Sequence, residues 1–329
     1  MTECIIILWT GFLLDVFLGD PEYRLHPIRL MGNGISLGET WLRKVGLANR
    51  TGGVTLALAL ITATLAVFLL LSRILNSLYG PLAFLFHVYL CFSCLALKDL
   101  TAHLDPVVDA LEAGDLDAAR HFISRVVGRD VSVLDEKGVC RAAVETLAEN
   151  FIDGFVSPLF WYLAGGLLGW LLGSDPVLSA LGAMLTFKVV STMDSMVGYR
   201  NERYEALGWA GAKLDDLMNL APARLSFLFL FPGALLTGHS GIQGIKIGWR
   251  DRLKHDSPNA AHGESFVAGA LGIRLGGPTT YGTKTKDKPW LGEGFADARP
   301  SDIVKTMWLL SAAAWITMAF AGIFLLWFS

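Results

Sequence analysis

The sequence predicts an all-α integral membrane protein, a polytopic bundle of membrane-spanning helices joined by polar loops that are helical or irregular. Hydrophobic residues make up 53% of the 329 residues and charged residues only 17%, whereas a soluble domain carries about a quarter charged residues. Several apolar runs approach the ~20 residues that cross a bilayer as a helix. Basic residues also collect in alternate loops, which is typical of a protein that crosses the membrane several times.

The apolar runs predict a single membrane domain over residues 1–329. Five runs approach or meet the length of a span: 54–72, 81–97, 155–172, 177–193 and 306–328. Run 4–18 is short, and run 217–236 contains two prolines and Arg224. Because proline interrupts helical hydrogen bonding and arginine is costly in lipid, we expect 217–236 to be re-entrant or buried in protein.

The distribution of lysine and arginine predicts which loops face the cytoplasm. Lys and Arg number five in 19–52, one in 73–80, six in 98–150, none in 173–176, three in 194–216 and ten in 238–305. Basic loops stay on the cytoplasmic side, so the first, third and fifth of these loops are placed on that side of the membrane. The last loop joins them if 217–236 is re-entrant, and lies outside if that run crosses.

Two polar regions carry helix signals of their own. The insert 98–150 is predicted to face the soluble side with two short amphipathic helices. Asp105 marks the start of the first helix, Gly114 its end and Asp115 the start of the second. In the polar loop 238–305, the segment AAHGESFVAGALGI predicts a short, half-buried helix.

A charged helix runs directly into an apolar one over residues 141–166. If this stretch is one helix, Glu145, Glu149 and Asp153 project from the same face at four-residue intervals, with Asn150 beside them. Like charges at this spacing repel. We therefore expect a metal ion, an arginine or lysine, or water alone to face them; a solvated amphipathic face is the plainer alternative.

Further polar groups suit anions and hard cations. The first loop places His26 and Arg29 among prolines and glycines that fix turns, and Asp194 lies at the end of an apolar run, where ionisable groups indicate function. Hard cations prefer oxygen ligands and phosphates prefer charged donors. The remaining candidates are Arg200, Lys213, Asp215, Asp216, Arg224, Arg250, His255, Asn259, His262 and Ser265. An interfacial loop and snorkelling charges are the alternatives.

Several function classes are excluded by the sequence. No GxGxxG, GxSxG or HExxH motif is present, which excludes the common dinucleotide-binding, hydrolase and zinc-protease signatures. A net charge of -3 without a basic stripe excludes a nucleic-acid partner. Carboxylates for a metal together with basic groups for anions fit phosphoryl chemistry, and they equally fit an anion-handling transporter.

Four motifs occur in order along nearly the whole chain. They read LLDVFLGDPEYRLHPIRLMGNGI, AAVETLAENFIDGFVSPLFWYLAGG, STMDSMVGYRNERYEALGWAGAKLDDLMNLAPARLS and SPNAAHGESFVAGALGIRLGG. Together they resemble the adenosylcobinamide-phosphate synthase family of cobalamin biosynthesis, the CbiB/CobD proteins. The resemblance implies an ATP-dependent carbon–nitrogen ligase of the inner membrane with its active site facing the cytoplasm. This ligase joins aminopropanol phosphate or threonine phosphate to a propionate of adenosylcobyric acid.

The resemblance also implies the partners: a corrinoid substrate, an amino-alcohol phosphate, membrane lipid, and ATP as co-substrate with Mg²⁺. It leaves open whether the chain forms a homo-oligomer. The chain has no recognisable ATP-binding fold, so the nucleotide site is not placed by the resemblance. A non-enzymatic membrane transporter or regulator of the same superfamily is the alternative function.

With this activity in view, we assign roles to the residues singled out above. The predicted catalytic residues are His26, Glu145, Glu149, Asp153, Asp194, His255 and His262, one of the histidines taking the proton of the amine. The residues predicted to hold ATP and phosphates are Arg29, Asn150, Arg200, Lys213, Arg224, Arg250, Asn259 and Ser265. The predicted Mg²⁺ ligands are Glu145, Glu149, Asp153, Asp215 and Asp216.

Overall fold

The computed structural model describes residues 1–19, 21, 23–128, 130–199, 201–281 and 284–329, and it confirms a predominantly helical fold. The helices are α1 (Thr2–Leu18), α2 (Pro27–Lys44), α3 (Arg50–Leu78), α4 (Gly80–Cys94), α5 (Leu97–Ala102), α6 (Asp105–Glu112), α7 (Leu116–Ile123), α8 (Glu136–Phe151), α9 (Ser157–Leu171), α10 (Pro176–Val197), α11 (Trp209–Met218), α12 (Leu220–Leu236), α13 (Gly241–Asp251), α14 (Ala260–Leu271) and α15 (Pro300–Trp327). A π-turn, Ile152–Val156, joins α8 to α9.

Five helical segments of the described chain are long and apolar enough to cross a membrane: Arg50–Leu78, Gly80–Glu112, Glu136–Leu171, Pro176–Val197 and Pro300–Trp327. Each of the five predicted runs lies in one of these segments to within one residue. The two doubtful runs correspond to α1, which has 17 residues, and to α12 with the end of α11. Helices α11 and α12 make a sixth candidate only if together they form one broken span. The re-entrant arrangement of 217–236 stays a prediction.

The chain folds into two compact units. Unit 1 comprises residues 1–96, 157–218 and 320–329, and unit 2 comprises residues 97–156 and 219–319. Unit 1 therefore contains α1 to α4, α9 to α11 and the end of α15. Unit 2 contains α5 to α8, the π-turn, α12 to α14, the strands and most of α15.

Unit 1 is held together by close helix packing. Helices α9 and α10 approach closely at Gly165, where a Cβ atom would lie 2.4 Å from the carbonyl oxygen of Ser179. The amphipathic helix α2 packs its apolar face against α3 and α10. The core of this contact consists of Ile35, Leu42, Leu56, Ala57, Met193, Val197 and Leu207.

The helical stretch predicted over 141–166 is continuous but not regular, because a π-turn interrupts it at 152–156. Pro158 has no N–H to donate to the carbonyl of Gly154, and in a regular α-helix its ring would clash with that carbonyl. A wider turn just before the proline relieves this conflict, and π-turns of this kind occur often at functional sites.

The polar loop 238–305 contains short strands, which corrects the expectation that the polar loops are helical or irregular. The strands are β1 (Ile273–Gly276), β2 (Thr279–Tyr281), β3 (Lys284–Lys286), β4 (Trp290–Leu291) and β5 (Ala296–Asp297). Strand β1 pairs antiparallel with β4 and parallel with β5, and β2 pairs antiparallel with β3. The predicted start of α7 is confirmed, because the Asp115 side chain accepts a hydrogen bond from the N–H of Ala118.

Helix α14 forms the centre of unit 2. The sequence predicts it to be half-buried, and this prediction is wrong: every residue of Ala260–Ala270 is buried. Small residues make this possible. A Cβ atom on Gly263 would lie 2.7 Å from the carbonyl oxygen of Ala148, so only glycine lets α14 lie this close to α8. The polar side chains of α14 are thereby enclosed by protein.

Candidate active site

A small polar pocket in unit 2 brings together buried acids and cations. Its volume is about 30 Å³, and it is lined by Glu145, Lys254, His255, Glu264, Gly276, Lys288, Pro289 and Leu291. Glu145 of α8 and Glu264 of α14 are 8% and 5% exposed. Two carboxylates, two ammonium groups and one imidazole therefore share the wall of one small volume.

The Glu145 side chain is held by the backbone of β1. Its Oε1 atom accepts a hydrogen bond of 2.7 Å from the N–H of Gly276. Gly276 has φ 73 and a Cβ atom there would lie 2.7 Å from the carbonyl oxygen of Pro289, so this position favours glycine on both counts. One partner of the Glu145 carboxylate is thus a backbone N–H group.

The other residues predicted around Glu145 lie in less enclosed positions. Glu149 and Asp153 are half-buried and Asn150 is exposed. Glu145 and Glu149 are one α-helical turn apart, whereas Asp153 belongs to the π-turn. The regular four-residue spacing assumed for the three acids therefore ends at Glu149.

His255 lines the pocket with one ring nitrogen already engaged. Its Nδ1 atom lies 3.1 Å from the backbone N of Ser257, whose N–H donates to it. In the neutral ring this leaves the proton on Nε2. His255 is therefore suited to donate a hydrogen bond from Nε2 to an anion.

His262 is buried against α12 and does not line this pocket. It is 1% exposed, its ring centroid lies 5.9 Å from that of Phe227, and neither ring nitrogen has a hydrogen-bond partner in the described chain. Burial, with the nearby Arg224 charge, lowers the pKa of His262 to about 4. The ring is therefore neutral at pH 7.

Arg224 and Asn259 are brought together, as two of the predicted anion ligands. The Arg224 Nη1 atom lies 3.3 Å from Asn259 Oδ1 and 2.6 Å from the carbonyl oxygen of Leu220. Asn259 is buried, whereas Arg224 is exposed. Asn259 directly precedes α14, so the pair lies at the start of the helix that carries His262.

Arg250 is committed to a neighbouring carboxylate. Its Nε and Nη2 atoms lie 2.8 and 2.7 Å from the two oxygens of Asp251, which is fully buried. Asp251 also accepts hydrogen bonds from Lys254 Nζ at 2.9 Å and from the N–H of Gly292 at 2.9 Å. Burial alone would raise the pKa of Asp251, but these donors outweigh it and lower the pKa to about 2. Arg250 therefore helps to hold Asp251, which in turn binds Lys254 of the pocket wall.

A second ion-pair cluster lies beside the pocket. Asp297 binds Arg274 through two hydrogen bonds of 2.7 and 3.1 Å, and it pairs with Lys137 at 3.3 Å and Arg141 at 3.4 Å. The hydrogen bonds from Arg274 lower the pKa of Asp297 to about 2. The Trp290 ring lies 4.4 Å from the Arg274 guanidinium and 5.3 Å from that of Arg141. Three cations surround one carboxylate, so this cluster is net positive.

We expect unit 2 to lose stability as the pH falls from 6.5 to 4. The unfolded pKa of histidine is about 6.5, and that of folded His262 is about 4. Because the folded pKa is lowered, the unfolded chain binds the proton first, and falling pH favours unfolding. A shift of this size corresponds to about 3 kcal/mol.

Thermal unfolding of the purified chain in detergent checks this prediction. The midpoint should be lower at pH 5 than at pH 7.5, and His262→Gln should reduce the difference. Asp251 and Asp297, whose pKa values are about 2, titrate below this window. An equal loss in the variant would contradict the assignment to His262.

Ser265 takes part in helix packing. It is fully buried, and its hydroxyl lies within hydrogen-bond distance of the carbonyl oxygens of Ala261 and of Gly248, the latter at 3.2 Å. These contacts tie α14 to α13. The predicted contact of Ser265 with a phosphate stays a prediction, with the hydroxyl directed into the packing between the two helices.

The remaining predicted residues belong to unit 1. His26 is buried directly before α2, with its ring edge against Tyr23 at 5.4 Å, and Arg29 is exposed in the first turn of α2. Asp194 is half-buried near the end of α10. Arg200 lies outside the described residues.

Helix α11 carries the last three predicted site residues, which are Lys213, Asp215 and Asp216. Lys213 Nζ lies 3.5 Å from Asp216 Oδ2, and Asp215 and Asp216 are half-buried. Gly211, one turn before Asp215, packs against α10, where a Cβ atom would lie 3.4 Å from the backbone N of Asp194. The structure therefore brings α11 against the end of α10. That the polar groups of both units form one site stays a prediction.

Comparison with known proteins gives the family. Residues 8–310 match a family described as CobD/Cbib protein. The chain belongs to the CobD/CbiB family. The cobalamin biosynthesis protein CobD of Klebsiella pneumoniae is 39% identical over 323 residues, which cover 97% of each chain. That of Pelobacter propionicus is 44% identical over 287 residues, 87% of this chain and 84% of the relative.

A third relative carries the other family name. The cobalamin biosynthesis protein CbiB of Salmonella arizonae is 37% identical over 318 residues, 95% of each chain. The resemblance inferred from the four motifs is therefore confirmed. No solved structure matches the chain.

The donors of this CobD/CbiB chain suit Mg²⁺ only in part. No group of three His, Cys, Asp or Glu side chains that could hold a metal occurs in the part of the chain that the structure describes. Mg²⁺ commonly takes one or two carboxylates and completes its shell with phosphate oxygens and water. Glu145, whose carboxylate lines the pocket, fits this smaller requirement.

Sequence reasoning missed three acids that organise the structure, Asp251, Asp297 and Glu39, and it gave Glu264 no catalytic or metal-binding role. Glu39 of unit 1 is buried, and its Oε1 atom accepts from Arg43 at 2.8 Å and from Arg203 at 2.9 Å. The four-residue spacing of Glu39 and Arg43 is a signal that the sequence offers. Asp297 offers no such signal, because its strongest partner is 23 residues away.

Proposed function

We propose that this chain acts in cobalamin biosynthesis as an ATP-dependent ligase. It would join an amino-alcohol phosphate to a propionate carboxylate of adenosylcobyric acid and yield adenosylcobinamide phosphate. Membership of the CobD/CbiB family, whose relatives are named for cobalamin biosynthesis, supports the pathway. The pocket of buried acids and cations in unit 2 supports the chemistry.

The charges around the pocket suit phosphate groups. Lys254 and Lys288 line it. Arg141 lies one helical turn before Glu145, and Arg274 lies two residues before Gly276, so the net positive cluster adjoins the pocket. Protein groups assist phosphoryl transfer mainly by positioning the reactants and neutralising their charge.

The reaction needs two bond exchanges. The γ-phosphoryl group of ATP passes to a carboxylate oxygen of the corrinoid, and ADP leaves. The amine nitrogen then attacks the acyl carbon, so the C–N bond forms while the C–O bond to phosphate breaks and inorganic phosphate departs with the bonding electrons. The ammonium group of the amino-alcohol phosphate must first lose a proton to become a nucleophile.

Glu264 is the side chain best placed to accept that proton. It is a buried carboxylate in the wall of the pocket, and Glu145, the other buried carboxylate there, would hold Mg²⁺. His262 has a lowered pKa and is a weak base. His255 would use Nε2–H to donate to a phosphate oxygen.

The proposal is tested with purified chain in detergent, ATP, Mg²⁺, adenosylcobyric acid and aminopropanol phosphate. We expect the amide product and ADP to appear in equal amounts. No amide and no ADP would reject the ligase. Corrinoid accumulation in sealed vesicles without ATP turnover would instead support the transporter alternative.

Lys288→Gln should raise the KM for ATP by about tenfold or more, because a hydrogen bond to a charged group contributes about 1.5–3 kcal/mol. A group that binds phosphate equally in the ground and transition states changes KM and leaves kcat nearly unchanged. Steady-state kinetics with varied ATP measure both constants. Lys246→Gln, at an exposed position of α13, is the control, and an equal KM in both variants would contradict a phosphate contact at Lys288.

A further inference from the structure

A second polar cavity lies in unit 1, and the proposed ligation uses none of its residues. Its volume is about 490 Å³, and it lies where the start of α1, the end of α3, and the starts of α4 and α10 meet. Leu69, Phe84 and Leu178 form part of its apolar wall. Its polar lining consists of Glu3, Ser72, Arg73, Asn76, His87 and Asp175.

Two charged side chains of the cavity remain available to a ligand. Asp175 is already used, since its Oδ1 atom accepts from the N–H groups of Val177 and Leu178 at the start of α10. Glu3 and Arg73 are exposed, and neither makes an ion pair in the described chain. One anionic and one cationic group are therefore offered together, which suits a ligand that carries both charges.

A buried histidine marks the deeper part of the cavity. His87 lies two helical turns into α4, about 10 Å from its start, and is 7% exposed. Its Nε2 atom lies 3.0 Å from Ser72 Oγ, and its Nδ1 atom has no hydrogen-bond partner in the described chain. A buried polar atom without a partner costs about 1–3 kcal/mol, so a polar ligand atom at this depth would stabilise the site.

The position of the cavity indicates the source of the ligand. Helices α3 and α4 belong to segments that can cross a membrane, and the cavity lies where α3 ends and α4 begins. The polar headgroups of a bilayer border its hydrocarbon core at such helix ends. A phospholipid has charges at this level and ester oxygens deeper, which matches Glu3 at the start of α1 and His87 deeper in the cavity.

We propose that this cavity binds the headgroup of an ethanolamine phospholipid. Arg73 pairs with the phosphate, Glu3 accepts hydrogen bonds from the ammonium group, and His87 donates to an ester carbonyl. A phosphatidylglycerol headgroup lacks the cation, and the quaternary ammonium of phosphatidylcholine has no N–H to donate to Glu3. Free phosphoethanolamine carries both charges but has no ester for His87.

Native mass spectrometry tests the proposal on the full chain, purified in detergent with equal amounts of phosphatidylethanolamine, phosphatidylglycerol and phosphatidylcholine. We expect the ethanolamine lipid to be retained about fivefold over the others, the ratio given by about 1 kcal/mol. Glu3→Gln should abolish this preference, whereas Arg73→Gln should lower retention of all three lipids, because all three carry the phosphate. Arg50→Gln should keep both the preference and the retention, because Arg50 lies at the opposite end of α3, over the Trp209 ring.

Circular dichroism and gel filtration establish that each variant is folded before binding is compared. Equal retention of the three lipids by the wild type would overturn the proposal, and so would an unchanged preference in Glu3→Gln or an unchanged retention of all three lipids in Arg73→Gln. Displacement of the lipid by free phosphoethanolamine at matched concentration would overturn the lipid as the source. His87→Phe should lower retention of all three lipids, because it removes the donor to the ester.

Discussion

Glu264→Gln is expected to lower the ligation rate by about 10²–10⁴-fold, the range that a positioned general base contributes. Glutamine keeps the size of the side chain and removes its ability to take a proton. The substitution lies within α14, whose residues are buried throughout Ala260–Ala270, so the shape of the helix should be retained. Because the lost step follows substrate binding, the KM for ATP should change little.

Single-turnover formation of the amide by the purified variant is the measurement. Glu112→Gln provides the matched control, since Glu112 is an exposed residue of α6 in the same unit and its loss should leave the rate unchanged. A folded Glu264→Gln chain with wild-type turnover would remove Glu264 from the mechanism and leave the proton to another group.

The membrane segments follow directly from composition. A run of about 20 apolar residues is unfavourable in water and has the length of a helix that crosses a bilayer. Each of the five predicted runs therefore lies within a described helical segment, extending past it by at most one residue. Composition does not predict the π-turn at 152–156. A regular α-helix would project Glu145, Glu149 and Asp153 from one face, but Pro158 prevents a regular α-helix through Gly154.

The ion pairs of unit 2 are harder to predict than its helices. The Asp297 carboxylate pairs with Arg141, 156 residues earlier, and with Arg274, 23 residues earlier. Such contacts depend on how the strands pair, and sequence periodicity carries no information about pairing between distant segments. The sequence predicts Arg250 to bind phosphate, whereas the structure pairs it with Asp251. The sequence does not show that Asp251 is buried, and it is this burial that makes Asp251 a strong partner for Arg250.

The burial of α14 shows the same limit. Its sequence contains His262, Glu264 and Ser265 among small residues, and this mixture predicts a half-buried helix. The structure instead encloses the helix, with Ser265 directed to backbone carbonyls and Gly263 pressed against α8. Of these three polar side chains, only Glu264 lines the pocket of the candidate site.

Asp251→Asn is expected to lower the free energy of unfolding by about 3 kcal/mol. Asp251 is fully buried and accepts from Arg250, Lys254 and the N–H of Gly292. Breaking a buried ion pair by removing one partner costs about 3–5 kcal/mol. The side chains of Arg250 and Lys254 are 48% and 32% exposed. Water can therefore solvate these cations when their partner is lost, so the expected cost lies at the lower end of this range.

Denaturant or thermal unfolding of the purified chain measures this loss, and Asp117→Asn is the matched control. The Asp117 side chain is 93% exposed and pairs with Arg120 at 3.0 Å, an interaction worth about 1 kcal/mol or less.

The folded pKa of Asp251 is lowered to about 2, below the unfolded value of about 3.9. Its contribution is therefore complete above pH 4 and is lost as the pH falls towards 2. The difference in the free energy of unfolding between wild type and Asp251→Asn should be the same at pH 7 and pH 5. If Asp251→Asn and Asp117→Asn instead lose equally small amounts of stability, the buried ion pairs of Asp251 stabilise the chain no more than an exposed pair does.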